Sequence, residues 1–296
     1  MMIAQKLSEV KNDYRYCEEI IKEHSKSFYF AFKDLPEEKA NAVFAIYTFC
    51  RRADDCVDNN DTKAGRLTAL NLLEKELKLF EENEELNLPM WRALRDVFNR
   101  YDMDIRPFYK QLKGQRMDIH FQTPRSVEEL EKYSYYVAGT VGLMLLPVLA
   151  KDTSLRLKEQ AINLGIAMQI TNILRDIGED YQFKQRVYLP YDLMKAEGYG
   201  VEGIHQASIN RSFITIWERL ARRAEELYDQ FDSSINSFDE DSRFQVMLSA
   251  RIYRGILQAV RNNQYDCFHT RNFVSPAEMQ SIYQSTQQAL TKKVFF

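Results

Sequence analysis

Gln169-Ile-Thr-Asn-Ile-Leu-Arg-Asp-Ile-Gly-Glu-Asp180 decides how this chain is read. Ile166, Ile170, Ile173 and Ile177 recur at steps of four, three and four, the period of one helix face. Gln169, Asn172, Asp176 and Asp180 run at steps of three, four and four along another face. A polar stripe on so apolar a helix either meets solvent or lines a polar cavity. Carboxylates and an amide on successive turns are oxygen donors of the kind a hard divalent cation takes.

Arg51-Arg-Ala-Asp-Asp-Cys-Val-Asp58 answers that stretch from the end of a helical segment beginning near Glu37. Asp54 and Asp58 share a face, with Arg51 one turn back and Tyr47 one turn before that. Asp55 points away by about 100°, from ~3.6 residues per turn. Acids four apart repel by a few tenths of a kcal/mol when left alone. Two such faces, each beside arginines, suggest a shared cationic guest.

Gly and Pro number only 10 and 7 in 296 residues, and periodic segments fill most of the chain, so the predicted class is all-α. Hydrophobic residues make up 45%, enough for a sizeable core, and no repeat or linker divides the chain, so residues 1–296 read as one domain of roughly ten helices. A net charge of −3, without a basic stripe, gives no field for nucleic acid. The four cysteines show no CxxC spacing, which argues against structural zinc and for a reducing compartment. Charge enters Met1-Met-Ile-Ala-Gln-Lys too early for a signal peptide, and Tyr133–Ala150 reads as a buried core helix rather than a membrane span. The expected setting is the cytoplasm, with peripheral contact at a membrane left open.

Asn12 or Asp13 is positioned to cap a first helix running toward His24-Ser-Lys-Ser-Phe28, whose hydroxyls, amine and imidazole would suit a phosphate. Glu74-Lys-Glu-Leu-Lys-Leu-Phe-Glu-Glu reads as a solvated outer face, and for Asp118 spacing favours an exposed position over a place in the cavity. Helices are further predicted over Ala64–Leu88, Trp91–Tyr101, Ile105–Phe121, Leu130–Leu146, Phe213–Phe231, Phe244–Asn263 and Pro276–Thr291. Gly139 and Gly142 each cost roughly 1 kcal/mol inside a helix, which tight helix packing or a close apolar ligand would justify. Gly178 carries the same cost beside Asp176 and Asp180.

If the two acidic faces wall one apolar cavity, Mg²⁺ held by a few carboxylates would leave positions for substrate phosphate oxygens. Cation and arginines together would stabilise a departing diphosphate, and the carbocation left behind survives only where water is excluded. Residue types and spacing thus point to isoprenoid chemistry.

The chain resembles the squalene/phytoene synthase family and, within it, the bacterial enzymes that form dehydrosqualene (4,4'-diapophytoene). The resemblance rests on His24-Ser-Lys-Ser-Phe28, Tyr47 with Cys50-Arg51, Asp54-Asp-Cys-Val-Asp58, Tyr136-Val-Ala-Gly-Thr-Val-Gly142, Gln169, Asn172-Ile-Leu-Arg-Asp-Ile-Gly-Glu-Asp180 and Arg186-Val-Tyr-Leu-Pro190. It implies an isoprenoid-synthase helical bundle around a central apolar cavity. It also implies head-to-head condensation of two farnesyl diphosphates through presqualene diphosphate, the first step toward a C30 carotenoid.

By that resemblance Asp54, Asp58, Asn172, Asp176 and Asp180 would hold Mg²⁺, with Mn²⁺ as the alternative. His24, Ser25, Lys26, Ser27, Arg51, Gln169, Arg175, Tyr188, Tyr253 and Arg271 would contact substrate phosphate, and Val137, Asn172 and Arg186 would also bind substrate. Tyr47 and Tyr133 would steer the cation through their ring faces. The terminal base stays open between a tyrosine and the released diphosphate. Phe32 and Phe44 would shorten the pocket to C15 chains.

The chain shows no GxGxxG and ends Lys292-Lys-Val-Phe-Phe296 without an anchor, which favours the branch that needs no NADPH. Phytoene synthase on geranylgeranyl diphosphate and NADPH-dependent squalene synthase are the rival enzymes, and a downstream carotenoid desaturase is the partner the pathway suggests. A non-catalytic helical adaptor is the remote alternative, but it has no need of two acidic stripes inside apolar helices.

Overall fold

Residues 2–293 are described by the structure, a computed structural model. The fold is all-α, as the low Gly and Pro content predicts: fifteen α-helices, with no strand among the described residues. Met1 and Val294–Phe296, on which the terminal readings partly rest, lie outside the described residues.

Two long helices stand at the centre of the bundle, each packed against several others. They are α3 (Glu37–Asp58) and α9 (Leu155–Arg175). Around them stand α1 (Met2–His24), the short α2 (Lys26–Phe32), α4 (Lys63–Glu81), α5 (Pro89–Arg100) and α6 (Arg106–Ile119). Next come α7 (Val127–Ser134), a π-helical turn at Tyr135–Gly139, and α8 (Thr140–Leu149). The chain continues through α10 (Ile177–Lys184), α11 (Tyr191–Ala196), α12 (Val201–His205) and α13 (Arg211–Asp232). It closes with α14 (Glu240–Asn262) and α15 (Pro276–Lys293).

Helix α13 buttresses α9 from outside. Trp217 Nε1 donates to the Leu174 carbonyl at 3.1 Å, and the hydroxyls of Thr171 and Tyr228 lie 3.0 Å apart. On its other side α9 meets α8 with no room for side chains between them. A Cβ on Gly142 would stand 2.3 Å from the Ala161 carbonyl oxygen, and one on Gly165 would stand 2.4 Å from that of Ala138. Close helix approach is therefore the use of Gly142. This contact sets the width of the gap that α3, α6, α8, α9 and α14 enclose.

Several sequence readings change. Helix α1 begins well before Asn12, so Asp13 is no cap; it is buried inside the helix and bonds Arg92 at 2.5 and 2.8 Å. Glu76 is not solvated: it is buried, takes both Arg52 nitrogens at 2.7 Å, and accepts from Trp91 Nε1 at 2.7 Å. The predicted Leu130–Leu146 helix is interrupted by the π turn.

The deciding stretch is not one helix either. Asp176, at φ −106° and ψ 18°, ends α9 and starts α10. The cause is tertiary: the Gly178 N–H bonds the Cys267 carbonyl at 3.0 Å, and a Cβ there would meet Phe268 backbone at 2.5 Å. Gly178 lets a distant loop dock against the turn and fix the break.

Candidate active site

The gap between the central helices has two zones. Its upper part is a polar cleft of about 820 Å³ with walls from α3, α6, α9, α10 and the start of α2. Tyr47, Asp54, Val137, Gln169, Asn172 and Tyr253 also line a narrower apolar cavity of about 200 Å³ below, so the two are continuous. The direction of depth follows from helix order. On α2 the lining runs from Ser25–Ser27 at the cleft to Phe32, on α9 from Asn172 to Ala161, and on α14 from Tyr253 to Val246. Phe32, Leu149, Phe231 and Phe238 thus belong to the far end.

The polar residues that the resemblance assigns to the site all face the cleft. His24, Ser25, Lys26, Ser27, Tyr47, Arg51, Asp54, Asp58, Tyr133, Gln169, Asn172, Arg175, Asp176, Asp180, Arg186, Tyr188, Tyr253 and Arg271 all line it, as does Val137. Of the two phenylalanines, Phe32 lines the cavity and stacks on Phe28, with centroids 4.6 Å apart. Phe44 does not line it: it is buried against Tyr29, centroids 5.8 Å apart, so the pocket-shortening role leaves it. Phe28, which the sequence reading used only as the end of a motif, takes that place in the lining.

Arg175 holds Asp176 with two nitrogens at 2.5 and 2.7 Å, and the exposed Arg271 approaches the same carboxylate at 3.7 Å. Arg51 pairs with Asp55, which faces away from the cleft, while the buried Arg51 Nε has no hydrogen-bond partner. A whole stripe was missed on α6: Gln115 Nε2 donates to Asp54 Oδ1 at 2.5 Å, and Asp118 lies one turn further.

Asp118 is buried, against the exposed position expected from spacing. Its carboxylate lies 3.4 Å from Arg186, itself 5% exposed, and accepts from Tyr188 Oη at 3.0 Å and Tyr133 Oη at 3.1 Å. Burial raises the Asp118 carboxyl, and the Arg186 charge opposes that rise. This knot ties α6, α7 and the chain after α10 into one wall.

A family model described as squalene/phytoene synthase matches residues 21–278. The chain belongs to the squalene/phytoene synthase family. A dehydrosqualene synthase crystallised with a ligand is 41% identical and superposes with a TM-score of 0.91, covering 97% of this chain and 99% of that one. The 4,4'-diapophytoene synthase of Staphylococcus haemolyticus is 32% identical over 287 residues, 95% of this chain and 99% of that protein. Chloroplastic phytoene synthase 1 of Zea mays is 35% identical over 270 residues, 90% of this chain; the match spans 65% of the plant protein. The isoprenoid-synthase bundle expected from the sequence is the one observed.

In this member of the squalene/phytoene synthase family the donor set suits a hard divalent cation. Carboxylates on α3 face an amide and carboxylates on α9 and α10 across one polar cleft. Among the described residues no three acidic or imidazole side chains converge into a closed metal cage. Mg²⁺ is commonly held in that open way, by one or two carboxylates with the rest from water and phosphate.

Two of the acids are held above the usual carboxylate range. Burial, with Asp58 four residues on, pushes Asp54 up to about 7. Burial pushes Asp180 to about 7 as well, with Lys184 opposing the rise. An aspartate in the unfolded chain titrates near ~3.9, so between those values the folded protein holds more protons than the unfolded one. Stability without substrate or metal should therefore fall as pH rises from about 4 to about 7. We expect the melting temperature in EDTA to drop between pH 5 and pH 8, and Asp54→Asn to flatten that drop. Parallel pH profiles for wild type and variant would contradict the assignment.

Proposed function

We propose that the chain condenses two farnesyl diphosphates head to head, through presqualene diphosphate, to dehydrosqualene without NADPH. The observation that carries this is a polar cleft between two acidic helix faces opening onto an apolar cavity. Whole-length likeness to a dehydrosqualene synthase supports the choice of branch.

The cleft would seat both diphosphates against Arg51, Arg175, Arg271 and the α2 start, with the prenyl chains in the cavity. Asp54, Asp58, Asn172, Asp176 and Asp180 would hold divalent cations, which neutralise the charge developing on the leaving diphosphate. One diphosphate departs with the C–O electron pair, and the allylic cation is attacked by the double bond of the second molecule. Proton loss closes the cyclopropane. The second diphosphate then leaves, the ring rearranges, and loss of another proton gives the conjugated triene.

Burial keeps the Tyr47 and Tyr133 phenols well above their ordinary range, and Tyr133 Oη already bonds Asp118. Protonated phenols are poor proton acceptors, which favours the departed diphosphate as the terminal base. The Tyr47 ring, close to Phe28 at 5.9 Å between centroids, is placed to face positive charge. Because substrates and product are lipids, contact with a membrane surface and hand-over to a desaturating enzyme belong to the same proposal.

A second reading, phytoene synthesis from C20 substrates, draws on the similar identity to the maize enzyme. Phe32 separates the two. Its loss should lengthen the cavity floor, so Phe32→Ala is expected to raise the C40:C30 product ratio, with both diphosphates offered, by roughly tenfold. An unchanged ratio would move the chain-length stop to Phe231 or Phe238.

A further inference from the structure

Lys184 is the one cleft residue whose contacts run to both acidic walls among the described residues. It is the last residue of α10, and the chain turns there through Gln185 in the left-handed region, at φ 53°. That turn is pinned by the Arg186 N–H on the Asp180 carbonyl at 3.1 Å. A lysine at a helix C-terminus four residues after an acid is commonplace, and its 3.8 Å approach to Asp180 has that ordinary explanation. The contact to Asp58 does not. Asp58 belongs to α3, on the opposite wall, and Lys184 Nζ lies 3.3 Å from its Oδ2.

We propose that Lys184 is a resident counter-cation that competes with divalent metal for Asp58 and Asp180, so that metal settles in the cleft with the diphosphate and not ahead of it. The charge balance explains why. A divalent cation approaching these two acids alone meets an ammonium already between them, and the like charges repel. An incoming diphosphate brings enough negative charge for ammonium and metal to remain together. Metal loading thereby becomes conditional on substrate. The inference rests on the proposed function only in taking a divalent cation as a guest of this cleft.

The test uses the full chain and no prenyl substrate, so its failure is distinct from failure of the condensation reading. Mn²⁺ is titrated at fixed pH into wild type, Lys184→Met, Lys184→Gln and Lys184→Arg, with free ion read by electron paramagnetic resonance. The two neutral variants should bind Mn²⁺ about fivefold or more tighter than wild type, and Lys184→Arg about as wild type does. In EDTA the neutral variants should melt below wild type, because Asp58 and Asp180 lose their shared counter-charge. Lys184 is one-third exposed, so its neutral replacements should fold. Mn²⁺ affinity in both neutral variants that is unchanged or weaker, including no measurable binding in any protein, would overturn the proposal.

Discussion

Replacing Asp176 by Asn should cost about 10³-fold or more in turnover while leaving a folded protein. The carboxylate sits where α9 breaks into α10, held by two nitrogens of Arg175 and approached by Arg271. That position places it between the arginines proposed to bind phosphate and the carboxylates proposed to hold metal. Asn keeps the shape and one acceptor oxygen but loses the charge, and a loss of several kcal/mol in transition-state stabilisation gives the factor above, at tenfold per ~1.4 kcal/mol. The fold should survive, because the break is fixed by the backbone docking of the Cys267–Phe268 segment on Gly178. Steady-state rates with saturating Mg²⁺, read beside a melting curve, would check this. A rate within tenfold of wild type would remove Asp176 from the metal site.

Replacing Asp118 by Leu should cost stability more than any other single change in the cleft wall. It leaves the buried Arg186 guanidinium without its carboxylate, and the Tyr133 and Tyr188 hydroxyls without their shared acceptor. Breaking a buried pair from one side typically costs ~3–5 kcal/mol. The double variant Asp118→Leu/Arg186→Met removes both charges and should recover much of that loss, since uncompensated charge and not lost attraction dominates. Urea unfolding of both variants measures it. Equal stability of Asp118→Leu and wild type would show that the wall does not depend on this knot.

The two deciding faces were legible because their signal is local. On α3, Tyr47, Arg51, Asp54 and Asp58 recur at one-turn spacing, and all four face the cleft. The α6 stripe was hidden by company. Lys110, Lys113 and Arg116 share its short segment and make it resemble an outer face, and one sequence does not say which side is buried. The break at Asp176 was illegible for another reason: it depends on backbone contact from residues about ninety positions later. Phe44 misled through its phase. It shares a helix face with Arg51, yet its ring packs on Tyr29 and does not line the cavity. Glu76 shows the same limit, since nothing in a run of charged residues tells which one accepts a buried Trp91 N–H.

The most direct test of the account is a product assay on purified protein with Mg²⁺ and farnesyl diphosphate, with and without NADPH, and with geranylgeranyl diphosphate in parallel. Mass and ultraviolet absorption of the organic extract identify the product. A C30 conjugated triene from farnesyl diphosphate, formed equally well without NADPH, is the expected result. Squalene formed only with NADPH, or a C40 product from geranylgeranyl diphosphate with no C30 product at all, would contradict it.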